Sequence, residues 1–514
     1  MSKTTLKSLF VLLILVVFAG VYFRKQLQQP TFNLIDDGYS LLVSQQLSES
    51  YSLENWRQTL VSSELAKGRL RPGYYLYYFG VYLFSQDSPI NFWLAQAGSL
   101  TLLLFLVWLF FKAAGFNHWF ALIVTIPVFF FPALSDNFLR LGPAESRQLL
   151  WLLTSFYWLW KVGEMKRFQF FGYAGAVIFY CLALTTKETT LIALPAFLYL
   201  LLIKQLGWKL KLNRAILQKV GASLTAVFLT TLFVMLIPRS GYSGELTFNL
   251  AQAKNNLFAA RVSFPEFYWL LCLGGLSFMI RMLDQKNFKF IFKSEFFFSQ
   301  LFLLLALPFL ILPLFWPYQL ERYLLPGQLF TWLFFTVEMW WLIQFLRKKS
   351  ENYGVRVVSV YFLLAFGLTR FIFVPAFLSP EKLVARLVTS KKTWYEQYQY
   401  SGALIDFLAE NTRANEKLVV THNDYEVIYE IGLYTSDLKT KPVEIYSENQ
   451  EAAEVFGWPY QYIEDTAQLF AKLESPVMLL GRGKEVTEYP QAQLLTPFDV
   501  ELTDENQLWF AVVK

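Results

Sequence analysis

The sequence predicts an α-helical polytopic membrane protein of about eleven spans, followed by a small soluble α/β domain. Three observations carry that expectation. Of 514 residues, 55% are hydrophobic and only 16% are charged, with a mean hydropathy of +0.36; soluble domains hold roughly 25% charged residues. Apolar runs of helical length recur from the N-terminus to about residue 380. Charge then divides the chain. Tyr395–Lys514 holds 8 Lys+Arg against 21 Asp+Glu, whereas 37 meet 18 in Met1–Trp394. A basic, apolar body over residues 1–380 and an acidic region over 395–514 are read as separate domains.

The runs, in order, are Leu9–Phe23, Asn91–Phe111, Trp119–Leu134, Leu149–Trp160, Phe170–Thr185, Thr190–Ile203, Gly221–Ile237, Phe267–Ile280, Phe297–Phe315, Leu329–Leu346 and Val357–Leu378. Several are shorter than the roughly 20 residues a hydrocarbon core needs. Lys3 and Lys7 precede the first run, and no small-residue cleavage site follows it, so it reads as an uncleaved span. Aromatics reach 19%, which suits interfacial belts and lipid-facing helices.

Positive charge gathers in alternate loops: Lys161, Lys166 and Arg167; Lys204, Lys209, Lys211, Arg214 and Lys219; Arg281, Lys286, Lys289 and Lys293; Arg347, Lys348, Lys349 and Arg356. By the positive-inside rule these loops are cytoplasmic, with the N-terminus inside and the C-terminal domain outside. The opposite loops hold Asp36 and Asp37, Arg69 and Arg71, Asp136 to Glu145, Lys187 and Glu188, Pro238 to Glu266, and Glu321 with Arg322. The first outer loop, residues 24–90, is long, and its pieces Tyr39–Leu47 and Tyr74–Phe84 read as helices lying in the interface, the second alternatively as an aromatic-rich short span that would reverse the orientation of all later loops.

Beyond Tyr395 the pattern alternates. Gln397–Asn411, Asp424–Gly432 and Thr466–Glu474 read as helices, and Lys417–Thr421, Pro442–Tyr446 and Pro476–Leu480 as strands. Asp499–Leu502 and Leu508–Val513 read as a terminal strand pair. Gly481-Arg482-Gly483-Lys484 lacks the phosphate-loop pattern and reads as a turn. Cys181 and Cys272, each in an apolar run, provide no disulfide framework, and His118 and His422 no histidine metal site.

The outer-facing residues form a chemical set. Adjacent acids at a membrane boundary are costly to desolvate, so Asp36 and Asp37 are candidates for a site; the bland alternative is that Asp37 caps a helix. Arg69 and Arg71, before Pro72, lie at headgroup depth and have the fork geometry that grips phosphate, or they are snorkelling anchors. Thr185-Thr186-Lys187-Glu188-Thr189 is a charged break between apolar runs, in which Lys187 and Glu188 could simply satisfy each other. Glu145 offers a further carboxylate and Arg322 a further cation. Glu338 and Arg370 lie within predicted spans and face the bundle interior.

In this order and on this common side, the motifs resemble those of the GT-C superfamily of polytopic glycosyltransferases, whose members include protein O-mannosyltransferases and the aminoarabinose transferases of lipid A. Asp36-Asp37-Gly38-Tyr39 is similar to the acidic pair of the first outer loop, with Asp37 standing where Glu is commoner. Arg71-Pro72, Thr186-Lys187-Glu188 with Pro195, and Arg322-Tyr323-Leu324-Leu325-Pro326 are similar to the later motifs. The resemblance covers roughly residues 1–380. It implies a sugar carried on a polyprenyl phosphate and moved, with inversion, to a glycan, lipid or protein acceptor on the outer face. Asp36 or Asp37 would be the base, Arg71 and Arg322, with Arg69 and Lys187, would hold the phosphate, and Glu145 would support the acceptor. A divalent metal serves some members and not others. The implied partners are membrane lipids and the lipid-linked donor, not nucleic acid. A transporter or flippase, or a non-enzymatic envelope assembly protein, are the rival readings; internal repeats, which transporters commonly show, are not evident.

Overall fold

The computed structural model describes residues 3–30, 32, 37–66, 71–86, 88–162, 169–206, 221, 224–225, 227–232, 250–263, 265–284, 296–315 and 321–348, together with six strands between Lys417 and Val513. Its helices in chain order are α1 Lys3–Tyr22, α2 Arg24–Gln28, α3 Asp37–Glu49, α4 Leu53–Arg57, α5 Ser63–Ala66, α6 Pro72–Ser85, α7 Pro89–Ala113, α8 His118–Thr125, α9 Pro132–Phe138 and α10 Glu145–Lys161. They continue with α11 Gln169–Thr186, α12 Leu194–Leu206, α13 Leu250–Ser263, α14 Pro265–Asp284, α15 Phe297–Ile311 and α16 Leu325–Lys348. Among the described residues, four stretches are long and apolar enough to cross a membrane: Thr5–Tyr22, Pro89–Ala113, Gln169–Thr186 and Phe297–Phe315. Three shorter apolar helices, His118–Phe130, Glu188–Ile203 and Phe267–Leu283, accompany them. The expected span Val357–Leu378 and nearly half of Gly221–Ile237 lie outside the described residues, as does Arg370.

Burial separates core helices from peripheral ones. On α1 only the stripe Val11, Leu15, Ala19 and Tyr22 is covered, at helical spacing, while Leu6, Leu9, Phe10, Leu13, Val17 and Val21 point outward. An outward apolar face of that kind suits hydrocarbon rather than water. By contrast α7 buries residues all round, from Trp93 through Leu103 and Trp108 to Phe111. It stops in a Schellman turn: Gly115 takes φ +94°, Phe116 N–H donates to Phe111 O and Gly115 N–H to Lys112 O, each at 3.1 Å. Asn117 then caps α8, accepting from Phe120 N–H at 2.9 Å.

One expected run is broken, and proline accounts for the break. The run Trp119–Leu134 is not one helix: Pro127 sits in a 3-10 stretch, Ile126–Phe130, and Pro132 opens α9. Between α11 and α12 the chain extends at Lys187 (φ −154°, ψ 126°) and continues as a 3-10 turn, Glu188–Ala193. Tyr180 O–H donates to Thr190 O at 3.1 Å and Thr190 O–H to Ala183 O at 2.9 Å, pinning that turn. The stretch Tyr74–Phe84, expected on the interface, is α6, and it buries Tyr74, Tyr75, Tyr78 and Phe79 within the main apolar core. Arg281, expected in a cytoplasmic loop, belongs instead to α14. It is buried there and pairs at 3.2 Å with Glu338 of α16, which faces the interior as expected.

The strands are β1 Lys417–Val420, β2 Glu444–Ser447, β3 Tyr460–Tyr462, β4 Val477–Arg482, β5 Ala492–Leu494 and β6 Leu508–Val513. They form one sheet in the order β3-β2-β1-β4-β6-β5. β1 to β4 are mutually parallel, and β6 runs antiparallel to both β4 and β5. β6 has Ala492–Leu494 on its second edge, and the expected Asp499–Leu502 lies outside the described residues. Gly481 and Arg482, expected in a turn, finish β4 opposite Trp509 and Leu508. The helices expected between these strands lie outside the described residues.

Candidate functional site

Four of the candidates, Arg71, Glu145, Lys187 and Arg322, converge at one end of the helical bundle, each at a helix boundary. Arg71 precedes α6, whose first helical residue is Pro72. Gly73 lets this end press on the last turn of α11: a Cβ there would meet Leu182 O at 2.6 Å. Arg71 Nη2 consequently lies 3.9 Å from Glu188 Oε1. Next along the chain, Lys187 turns the other way and forms a buried ion pair with Glu145, the first residue of α10. Lys187 therefore pairs across the bundle, and not with its neighbour Glu188.

Arg322 enters through Tyr323 and Asp136. Lys187 Nζ sits 4.2 Å from the centre of the Tyr323 ring, and Arg322 Cζ lies 5.4 Å from it. Asp136 Oδ1 accepts from Arg140 at 2.6 Å, and Oδ2 accepts the Arg322 N–H at 3.1 Å. Asn137 Nδ2 completes the grip by donating to Arg322 O at 3.0 Å.

Among the described residues charge is nearly balanced here. Burial alone would raise the Glu145 carboxyl, but Lys187 and then Arg322 overrule it and hold it below the usual carboxylate range. Burial likewise opposes ionisation of Glu188, and Arg71 followed by Lys187 brings that carboxyl below the usual range. Both groups stand at the turns between the apolar runs, and both are anionic at neutral pH. Arg71, Arg140, Lys187 and Arg322 thus face Asp136, Glu145 and Glu188.

The ion pair forms the polar end of a small, partly open cavity of about 30 Å³. Glu145, Lys187, Gln148 and Tyr323 line that end, while Ile192, Phe309, Leu312 and Pro326 supply apolar walls. Gln148 Nε2 donates to Thr189 Oγ1 at 3.0 Å and Thr190 Oγ1 at 2.9 Å, fixing the wall beside Lys187. Its polar end and apolar walls match the junction between a polar head and a hydrocarbon tail.

Asp36 and Arg69 lie outside the described residues, and so does the side chain of Asp37. The backbone of Asp37 is the first residue of α3. Three residues on, Ser40 Oγ meets Tyr74 Oη at 2.7 Å, and Tyr74 O–H reaches Gly142 O at 2.8 Å, three residues before Glu145. Among the described residues no three His, Cys, Asp or Glu side chains group as metal ligands. Residues that sequence reasoning passed over include Arg147, Gln148 and Asn137. Their only signal was polarity at the edge of an apolar run.

Fold and site together define a polytopic helical membrane protein with a charged cluster at the head of an apolar cavity. Two solved structures of ArnT from Cupriavidus metallidurans, one apo and one bound to undecaprenyl phosphate, align with 98% of this chain and with 97% and 98% of theirs, at TM-scores of 0.44 and 0.42 and 12% identity. No family model and no curated protein matches the sequence.

Proposed function

We propose that the chain is a membrane glycosyltransferase that moves a sugar from a polyprenyl-phosphate donor to an acceptor on the non-cytoplasmic face. The observation that carries this reading is the convergence of Arg71, Lys187 and Arg322 with Glu145 at or beside the polar end of an otherwise apolar cavity. The donor's chain lies along Ile192, Phe309 and Leu312, and its phosphate meets the cations. The acceptor oxygen attacks the anomeric carbon as the bond from that carbon to the phosphate oxygen breaks, which inverts the centre. Asp36 or Asp37 takes the acceptor proton, and the guanidinium groups, with Arg69 and Lys187, stabilise the phosphate charge that develops on leaving. Glu145 holds Lys187 in place and supports the acceptor. The acidic region 395–514, read as an extracytoplasmic α/β domain, covers or recruits the acceptor.

Transfer from radiolabelled polyprenyl-phosphate sugars by the purified full chain tests the proposal. At least one of Asp36→Asn and Asp37→Asn abolishes turnover while expression persists. Unchanged rates in both overturn the proposed base, and donor movement across a vesicle without transfer favours a flippase.

A further inference from the structure

We propose that Arg147 is a positioning residue that fixes both sides of the site through hydrogen bonds of enforced direction; what it positions rests on the function proposed above. Arg147 lies in the first turn of α10, two residues after Glu145, is fully buried, and does not line the cavity. Among the described residues it meets no carboxylate. Nη2 donates to Tyr78 Oη at 3.0 Å and to Gln96 Oε1, and the guanidinium carbon lies 4.3 Å from the centre of the Tyr77 ring.

An arginine can only donate. Tyr78 and Gln96 must therefore present oxygen lone pairs to it, and their own donors turn elsewhere. Gln96 Nε2 donates to Arg140 O at 2.9 Å, and Tyr78 O–H donates to Leu141 O. Tyr74 adds Gly142 O at 2.8 Å. Three successive carbonyls of the segment joining α9 to α10 are thus held by side chains from α6 and α7. That segment ends at Glu145, the partner of Lys187. It begins near Arg140, whose side chain holds the Asp136 that grips the Arg322 backbone. Replacing Arg147 removes one of the two contacts that fix the direction of the Gln96 amide, the Arg140 carbonyl being the other.

Hydrogen–deuterium exchange of the full chain reads the opening of this segment at the N–H groups of Leu139–Ala144, with Phe297–Leu310 as reference. Arg147→Lys keeps a charge but loses the planar fork, and Gln96→Leu and Tyr78→Phe remove the intermediaries if that variant fails to fold. Each speeds exchange at Leu139–Ala144 by about tenfold, the worth of one lost hydrogen bond, and leaves the reference unchanged. Transfer kcat/KM, normalised to folded protein, falls by roughly tenfold or more. Exchange that is unchanged, or raised equally in the reference, overturns the proposal. A wild type without transfer sinks the glycosyltransferase reading instead, and the exchange pattern still decides Arg147.

Discussion

Asp136 holds Arg322 by its main chain: Oδ2 accepts the Arg322 N–H at 3.1 Å while Oδ1 takes Arg140 at 2.6 Å. One buried carboxylate thus ties a cation of its own turn to the start of a segment 186 residues away. Asp136→Ala leaves Arg140 buried without that partner, and breaking a buried pair in this way costs about 3–5 kcal/mol. Asp136→Asn also takes the charge from beside Arg140 but keeps one oxygen for the Arg322 N–H, so it loses less, by about the 0.5–1.5 kcal/mol of one hydrogen bond. Chemical denaturation in detergent separates the two. Equal losses would mean that the grip on Arg322 contributes nothing.

The Glu145–Lys187 pair predicts a double-mutant result. Both side chains are buried, so Lys187→Met strands an anion and costs about 3–5 kcal/mol. Adding Glu145→Leu removes the stranded charge and recovers most of that stability. On the function proposed above transfer is not recovered, because Lys187 is one of the cations assigned to the phosphate. A double variant as unstable as Lys187→Met alone would show that the two groups are not coupled.

Acid should weaken the same contact. The Glu145 carboxyl titrates lower in the folded protein than in the unfolded chain. The stability it adds is present above the unfolded carboxylate pKa and disappears as pH falls through the folded value. Unfolding followed from about pH 7 to about pH 3 should show a loss in wild type that is shallower in Glu145→Gln. Parallel curves would contradict the assignment of a paired, ionised Glu145.

Much of this site was legible as a set of outer-loop charges, because cations and acids are rare enough in apolar sequence to stand out. The partners were not legible. Nothing local distinguishes Lys187 pairing with Glu188 from Lys187 pairing with Glu145; the extended backbone at Lys187 decides it, and tertiary packing sets that backbone. The same holds for Arg281, which chain position assigns to a loop and burial assigns to α14. In the C-terminal region, four strands matched hydrophobic runs, whereas Tyr460–Tyr462 and Ala492–Leu494 are too short and polar to show a period.

Gly73 offers the sharpest packing test. A Cβ at that position would meet Leu182 O at 2.6 Å, Thr185 Oγ1 at 2.7 Å and Thr186 Oγ1 at 2.9 Å. The first of these is backbone and cannot swing aside, so the start of α6 must lift from α11. Arg71, two residues upstream, then moves off Glu188. Gly73→Ala should cost about 1–3 kcal/mol by overpacking and raise the donor KM. Gly80, on the same helix, has nothing within 4 Å of its added Cβ, and Gly80→Ala should gain about 0.4–1 kcal/mol from the reduced freedom of the unfolded chain. Thermal unfolding and transfer kinetics on both variants decide the matter. If Gly73→Ala behaves as Gly80→Ala does, close approach of α6 to α11 is not what brings Arg71 to the site.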